Sequence, residues 1–129
     1  MIWKLSKPKD YQKAIKYFDK CKENLPVYQE LPKKAMHLRC LYEMKIWNDE
    51  KGIAKMNRLQ KRYERYLYNY PKGISNEKCE SYKKLFQLTA TLFRYQANQI
   101  NYPKENILDK IKAAKCMNYD WLIDKYNEL

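Results

Sequence analysis

At 129 residues with 45% hydrophobic side chains, the chain is long enough to bury one core and too apolar for a disordered tail. Two glycines and few β-branched residues, against plentiful Lys, Leu, Glu, Gln and Met, favour helix over sheet. The formal charge of +12 is uneven: residues 51–103 hold eleven Lys/Arg against three Asp/Glu, while residues 104–129 hold five of each.

No apolar run approaches the ~20 residues that cross a bilayer. Met1-Ile2-Trp3-Lys4 does not open a signal peptide. The expectation is a soluble protein, cytoplasmic or otherwise intracellular, with no membrane partner. Its fold class is all-α: a single compact helical domain over 1–129, built from five to six helices.

Pro8 and Asp10 open a first helix over about 9–24, with Tyr11, Ala14, Ile15, Phe18, Cys21 and Leu25 forming one stripe and Pro26 stopping it. Pro32 fits the first turn of a second helix over about 32–48. That helix is apolar on most sides, from Ala35 and Met36 to Ile46 and Trp47, which predicts a central position. Residues 48–52 read as a turn. A third helix over about 53–70 sets Met56, Leu59, Tyr63, Tyr66, Leu67 and Tyr70 inward, and Pro71-Lys72-Gly73 ends it. Ser75 caps a fourth, about 76–101, with Cys79, Tyr82, Phe86, Thr89, Phe93, Gln96 and Ile100 at steps of three and four. Ile107, Leu108, Ile111 and Ala114 mark a short fifth helix. Asn118 caps a sixth, with Trp121, Leu122 and Tyr126 turned inward.

Arg62-Tyr63 followed by Asn69-Tyr70-Pro71-Lys72 returns 32 positions later as Arg94-Tyr95 followed by Asn101-Tyr102-Pro103-Lys104. This period is close to the ~34 residues of tetratricopeptide helical hairpins and suggests hairpin stacking of that kind. The Trp…Leu-Gly…Tyr part of the pattern is absent. Two convergent helix stops explain the same residues.

Chemistry-bearing motifs are scarce. His37 is the single histidine; it falls on a face with Leu41 and Met44 and reads as a packed side chain, with no nucleophile and carboxylate singled out beside it. Cys21, Cys40, Cys79 and Cys116 lie far apart, without a Cys-x-x-Cys pair, and read as reduced, shielded thiols. Neither a metal site nor a glycine-rich phosphate loop is indicated, and no cofactor is expected. Glu77 and Glu80 suit a helix N-terminus. The expectation is a non-enzymatic protein.

The third helix carries the functional candidate. Lys55, Arg58, Arg62 and Arg65 step along one side, with Lys61 alongside, as a strip about 15 Å long. Such spacing repels, so helix stability does not call for it. Phosphates relieve the repulsion, and arginine grips them bidentately. Tyr68 falls off the apolar stripe, where an aromatic ring can stack on an unpaired base. Lys83, Lys84 and Arg94 are helpers on the fourth helix. This pattern implies a basic helical module binding nucleic acid, RNA before DNA, or a ribonucleoprotein assembly through phosphates. The alternative is a protein–protein adaptor or inhibitor engaging an acidic protein surface.

Overall fold

Pro26 is where the chain departs most from its sequence pattern. Rather than stopping the first helix, it starts the second: its carbonyl accepts from the N–H groups of Gln29 and Glu30, both at 2.9 Å. The computed structural model describes residues 8–21, 25–69 and 73–129. Among these it forms six helices and no strand: α1 (Pro8–Lys20), α2 (Val27–Glu43), α3 (Glu50–Asn69), α4 (Asn76–Gln96), α5 (Glu105–Ala114) and α6 (Tyr119–Asn127).

Five boundaries differ from expectation. Helix α1 ends at Lys20, and Leu25 is exposed rather than part of its stripe. Helix α2 begins five residues early, so Pro32 lies in its second turn. There it removes the hydrogen bond to the Tyr28 carbonyl, on an exposed flank that tolerates the loss. Helix α2 also ends at Glu43, because Lys45 turns the chain with φ of 55°. Met44, Ile46 and Trp47 therefore reach the core from a loop. Residues 50–52, expected in a turn, form the first turn of α3. Helix α4 stops at Gln96, five residues early, where Asn98 takes φ of 59°. Residues 22–24 of the expected first helix, and Tyr70 with the Pro71-Lys72 stop, lie outside the described residues.

Ser75 caps α4 as expected, its side chain accepting from the Lys78 N–H at 3.2 Å. Asn118 occupies the α6 N-cap, but in the left-handed region and without a side-chain capping bond. Its Oδ1 instead accepts from Arg39 Nη1 at 3.3 Å.

The helices pack in consecutive pairs: α1 on α2, α3 on α4, α5 on α6. The second helix of each pair also packs on both members of the next: α2 on α3 and α4, then α4 on α5 and α6. This is the connectivity of stacked helical hairpins, in which each unit buries its apolar face against a neighbour. Helices α2 and α4 are accordingly central. Leu31, Leu38, Leu41 and Tyr42 from α2 meet Leu85, Phe86, Leu92 and Phe93 from α4 in one buried cluster. Tyr42 packs edge-on to Phe93 and Trp121, with ring centroids 6.4 and 5.7 Å away.

The stacking leaves two grooves. Helices α1 and α3 both lie on α2 without packing on each other, and α3 and α5 lie on α4 in the same way. Helix α3 thus has a groove along each flank, with its outer face between them.

Candidate nucleic-acid interface

The inner face of α3 is fixed by Met56, Leu59, Tyr63, Tyr66 and Leu67, all buried. At 3.6 residues per turn, that leaves its remaining arc to solvent. Arg58, Lys61, Arg62 and Arg65 are all exposed there, and Tyr68 is 86% exposed. Arg58, Lys61 and Arg65 make no ion pair or side-chain hydrogen bond among the described residues. Glu64, the acid within this run, is turned aside, where its Oε1 accepts from Gln87 Nε2 at 2.8 Å. Lys55 differs from the rest: its Nζ is 2.8 Å from Asp19 Oδ2 on α1.

The predicted residues divide between the two flanks of α3. Lys55, Arg58 and Arg62 line the groove between α1, α2 and α3, of about 250 Å³. Lys84 and Arg94 line the other, between α3, α4 and α5, of about 550 Å³. Arg94 is half-buried and serves the α3–α4 seam: its Nη1 donates to Gln60 Oε1 at 2.9 Å and Asn57 Oδ1 at 3.4 Å. Lys83 is exposed on α4 and lines neither groove. Lys61, Arg65 and Tyr68 stand on the outer face between the grooves.

The floor of the first groove is polar and was not visible in the sequence as such. His37, 2% exposed, stacks on Phe18 with centroids 5.2 Å apart. Its Nδ1 is 2.5 Å from the Tyr63 hydroxyl, and its Nε2 lies 3.4 Å from Asp19 Oδ1. The carboxylate beside Nε2 favours the hydrogen there, leaving Nδ1 to accept from Tyr63. Nε2 is buried without a hydrogen bond of acceptable geometry, the Asp19 contact being electrostatic. Burial, helped by the charges of Lys55 and Arg62 and opposed by Asp19, lowers the His37 pKa to about 4. The imidazole is therefore neutral at neutral pH.

Beside it Lys34, 2% exposed, sits 4.4 Å over the Tyr66 ring and 4.9 Å over the Tyr63 ring. Its Nζ donates to Glu30 Oε2 at 2.8 Å, and Lys33 donates to Oε1 at 2.6 Å. Burial pushes the Glu30 carboxyl up, but these two ammonium groups outweigh it and hold the pKa below its ordinary value. The signal that finds this floor is periodic: positions 30, 33, 34 and 37 share one face of a helix that starts at Val27. With a start at Pro32, Glu30 falls outside the helix and the pattern disappears.

All four cysteines are free, Cys40 and Cys116 buried and Cys21 and Cys79 half-buried. Burial pushes the Cys40 thiol up to about 12, which makes it inert at neutral pH. Among the described residues no group of three or more His, Cys, Asp or Glu side chains forms a metal-binding cluster. No helix among them is long and apolar enough to cross a membrane. Comparisons with protein-family models, curated proteins and solved structures find no match for this chain.

Proposed function

We propose that the protein is a non-enzymatic helical module that binds RNA, or an RNA–protein assembly, through backbone phosphates along the exposed arc of α3. The observation that carries this reading is the exposure of Arg58 and Arg62 at the rim of the first groove and of Lys61 and Arg65 on the adjoining outer face, while Glu64 is turned onto Gln87. A helix gains nothing intrinsic from such a run of like charges. A polyanion does, because each neutralised phosphate releases condensed counterions. Tyr68 supplies an exposed ring at one end of the strip, suited to an unpaired base. Phosphate contacts carry no sequence information, so the reading implies broad specificity. The direct test is binding of the purified protein to single-stranded RNA, against a variant with Arg58, Lys61 and Arg65 all changed to Gln. Loss of binding with unchanged melting supports it; equal binding by the two proteins refutes it.

A second reading, an adaptor or inhibitor that takes an acidic protein segment, is favoured by the α3–α4–α5 groove. Its lining includes Lys84, Arg94 and Lys110 and, among the described residues, no acidic side chain. Retained partner binding after nuclease treatment would select this reading over the first.

A further inference from the structure

We infer that the groove between α1, α2 and α3 is a seat for the terminal phosphate of a nucleic-acid strand, with Asp19 as the internal carboxylate that holds the seat until phosphate displaces it. The inference rests on the reading of α3 as a phosphate-binding face and adds a specific end group to it.

Charge and size are the first argument. Among the described residues Lys33, Lys34, Lys55, Arg58 and Arg62 line the groove, and Asp19 is the one acidic lining residue. Glu30 lies behind Lys33 and Lys34 and neutralises part of that charge. Its volume of about 250 Å³ equals roughly eight waters at ~30 Å³ each, room for a phosphate and the group attached to it.

The second argument is the poorly matched donor. His37 Nε2 is buried in the groove wall with Asp19 Oδ1, 3.4 Å away and badly aligned, facing it, and the ring is held by Tyr63 behind it and stacked on Phe18. A buried donor so weakly met costs free energy, and a better-placed acceptor recovers it. An anion facing this N–H would also face Lys55 and Arg58.

The third argument is what already stands there. Asp19 lies 2.8 Å from Lys55 and 3.4 Å from His37, which is the arrangement of an anion in a site for anions. Its side chain is 43% exposed, so it can swing into water at small cost. A phosphate monoester carries more charge and more acceptor oxygens than a carboxylate and competes well for the same cations. A chain-end phosphate carries about −1.5 to −2 where an internal backbone phosphate carries −1, so this cluster of cations favours the chain end.

The single histidine makes the test direct. With the intact protein, the His37 Nε2–H resonance should shift saturably on titration with uridine monophosphate and with inorganic phosphate, and not with uridine. A short single-stranded RNA with a terminal phosphate should bind about tenfold tighter than the same strand with hydroxyl ends, since one hydrogen bond to a charged group is worth about that much. Asp19→Ala should increase binding of uridine monophosphate several-fold, whereas Asp120→Ala, the same charge change on α6, should not. Misfolding cannot produce such a gain. An unmoved His37 resonance, or equal effects of the two Asp substitutions, overturns the proposal. So does a resonance that answers to a phosphoserine peptide and not to uridine monophosphate. Strand binding that gains nothing from a terminal phosphate overturns the seat and leaves the α3 strip intact. A saturable His37 shift in a protein that binds no RNA strand leaves only a mononucleotide phosphate site and overturns both the strip and its reading as a strand-end seat.

Discussion

His37 shows how burial sets the behaviour of a single residue. In the unfolded chain its imidazole titrates near the ordinary 6.5; in the fold, desolvation brings that to about 4. Between these two values the unfolded chain binds a proton that the folded one refuses. Stability therefore falls as pH drops from about 6.5, and this contribution levels off below about 4. At ~1.4 kcal/mol per pH unit, the full loss is on the order of 3–4 kcal/mol. Titration of the His37 ring by NMR should give a midpoint near 4, and His37→Gln should remove that part of the pH dependence in urea unfolding. A midpoint near 6.5 would show an imidazole that is not buried. Glu30 makes a matching case with the opposite charge. It is 1% exposed and satisfied by Lys33 and Lys34, so Glu30→Gln strips a buried cation of its carboxylate. Breaking a buried pair on one side costs about 3 kcal/mol or more. Denaturant unfolding at pH 7 should show a loss of that order, and a loss under ~0.5 kcal/mol would mean the pair is wet.

At the scale of elements, the amphipathic helices were legible and their ends were not. The stripe of α3 follows from Met56, Leu59, Tyr63, Tyr66 and Leu67 at helical spacing, and all five are buried. The start of α2 was hidden because proline carries two meanings, stop and N-terminus, and Pro26 serves as the second while reading as the first. The groove floor was hidden for a related reason. Lys34 and Glu30 are charged, a type usually found at the surface, and the face they share with Lys33 and His37 emerges only once α2 starts at Val27. Gly52 looked like turn punctuation, yet it is buried in the first turn of α3. A Cβ there would collide with the backbone carbonyl and side chain of Ile46. Gly52→Ala therefore inverts the usual sign. Helix propensity alone gains about 1 kcal/mol, but overpacking against backbone costs about 1–3 kcal/mol. Thermal unfolding should show a net loss or at best no gain; a variant stabilised by the full propensity term would contradict the close approach.

For the whole molecule, the arrangement of hairpins decides which cations act together. The sequence strip from Lys55 to Arg65 looked continuous, with Lys83, Lys84 and Arg94 as neighbours. Stacking instead splits these residues between two grooves and the outer face of α3, and it commits Arg94 to the α3–α4 seam. That division follows from which helix packs on which, and charge spacing along one helix does not contain it. The far end is closed by contacts between α2 and α6: Lys125 pairs with Glu43 at 2.5 Å, and Arg39 lies 4.9 Å over Trp121. The 32-residue echo ending in Asn-Tyr-Pro-Lys has its first Tyr-Pro-Lys outside the described residues, so the description of the helices as stacked hairpins rests on their packing and not on that motif.

The central claim is that α3 binds a polyanion by direct phosphate contacts, and salt is the most direct probe of it. The measurement is the affinity of the purified protein for single-stranded RNA across a range of salt concentrations. Four contacts, from Arg58, Lys61, Arg62 and Arg65, predict a slope of log K against log salt of about −2.8, at roughly −0.7 per contact. Changing Arg58, Lys61 and Arg65 to Gln should bring the slope to about −0.7 while altering stability by no more than ~0.5 kcal/mol. A slope that stays near −2.8 in that variant, or no measurable RNA binding by the parent at low salt, contradicts the account.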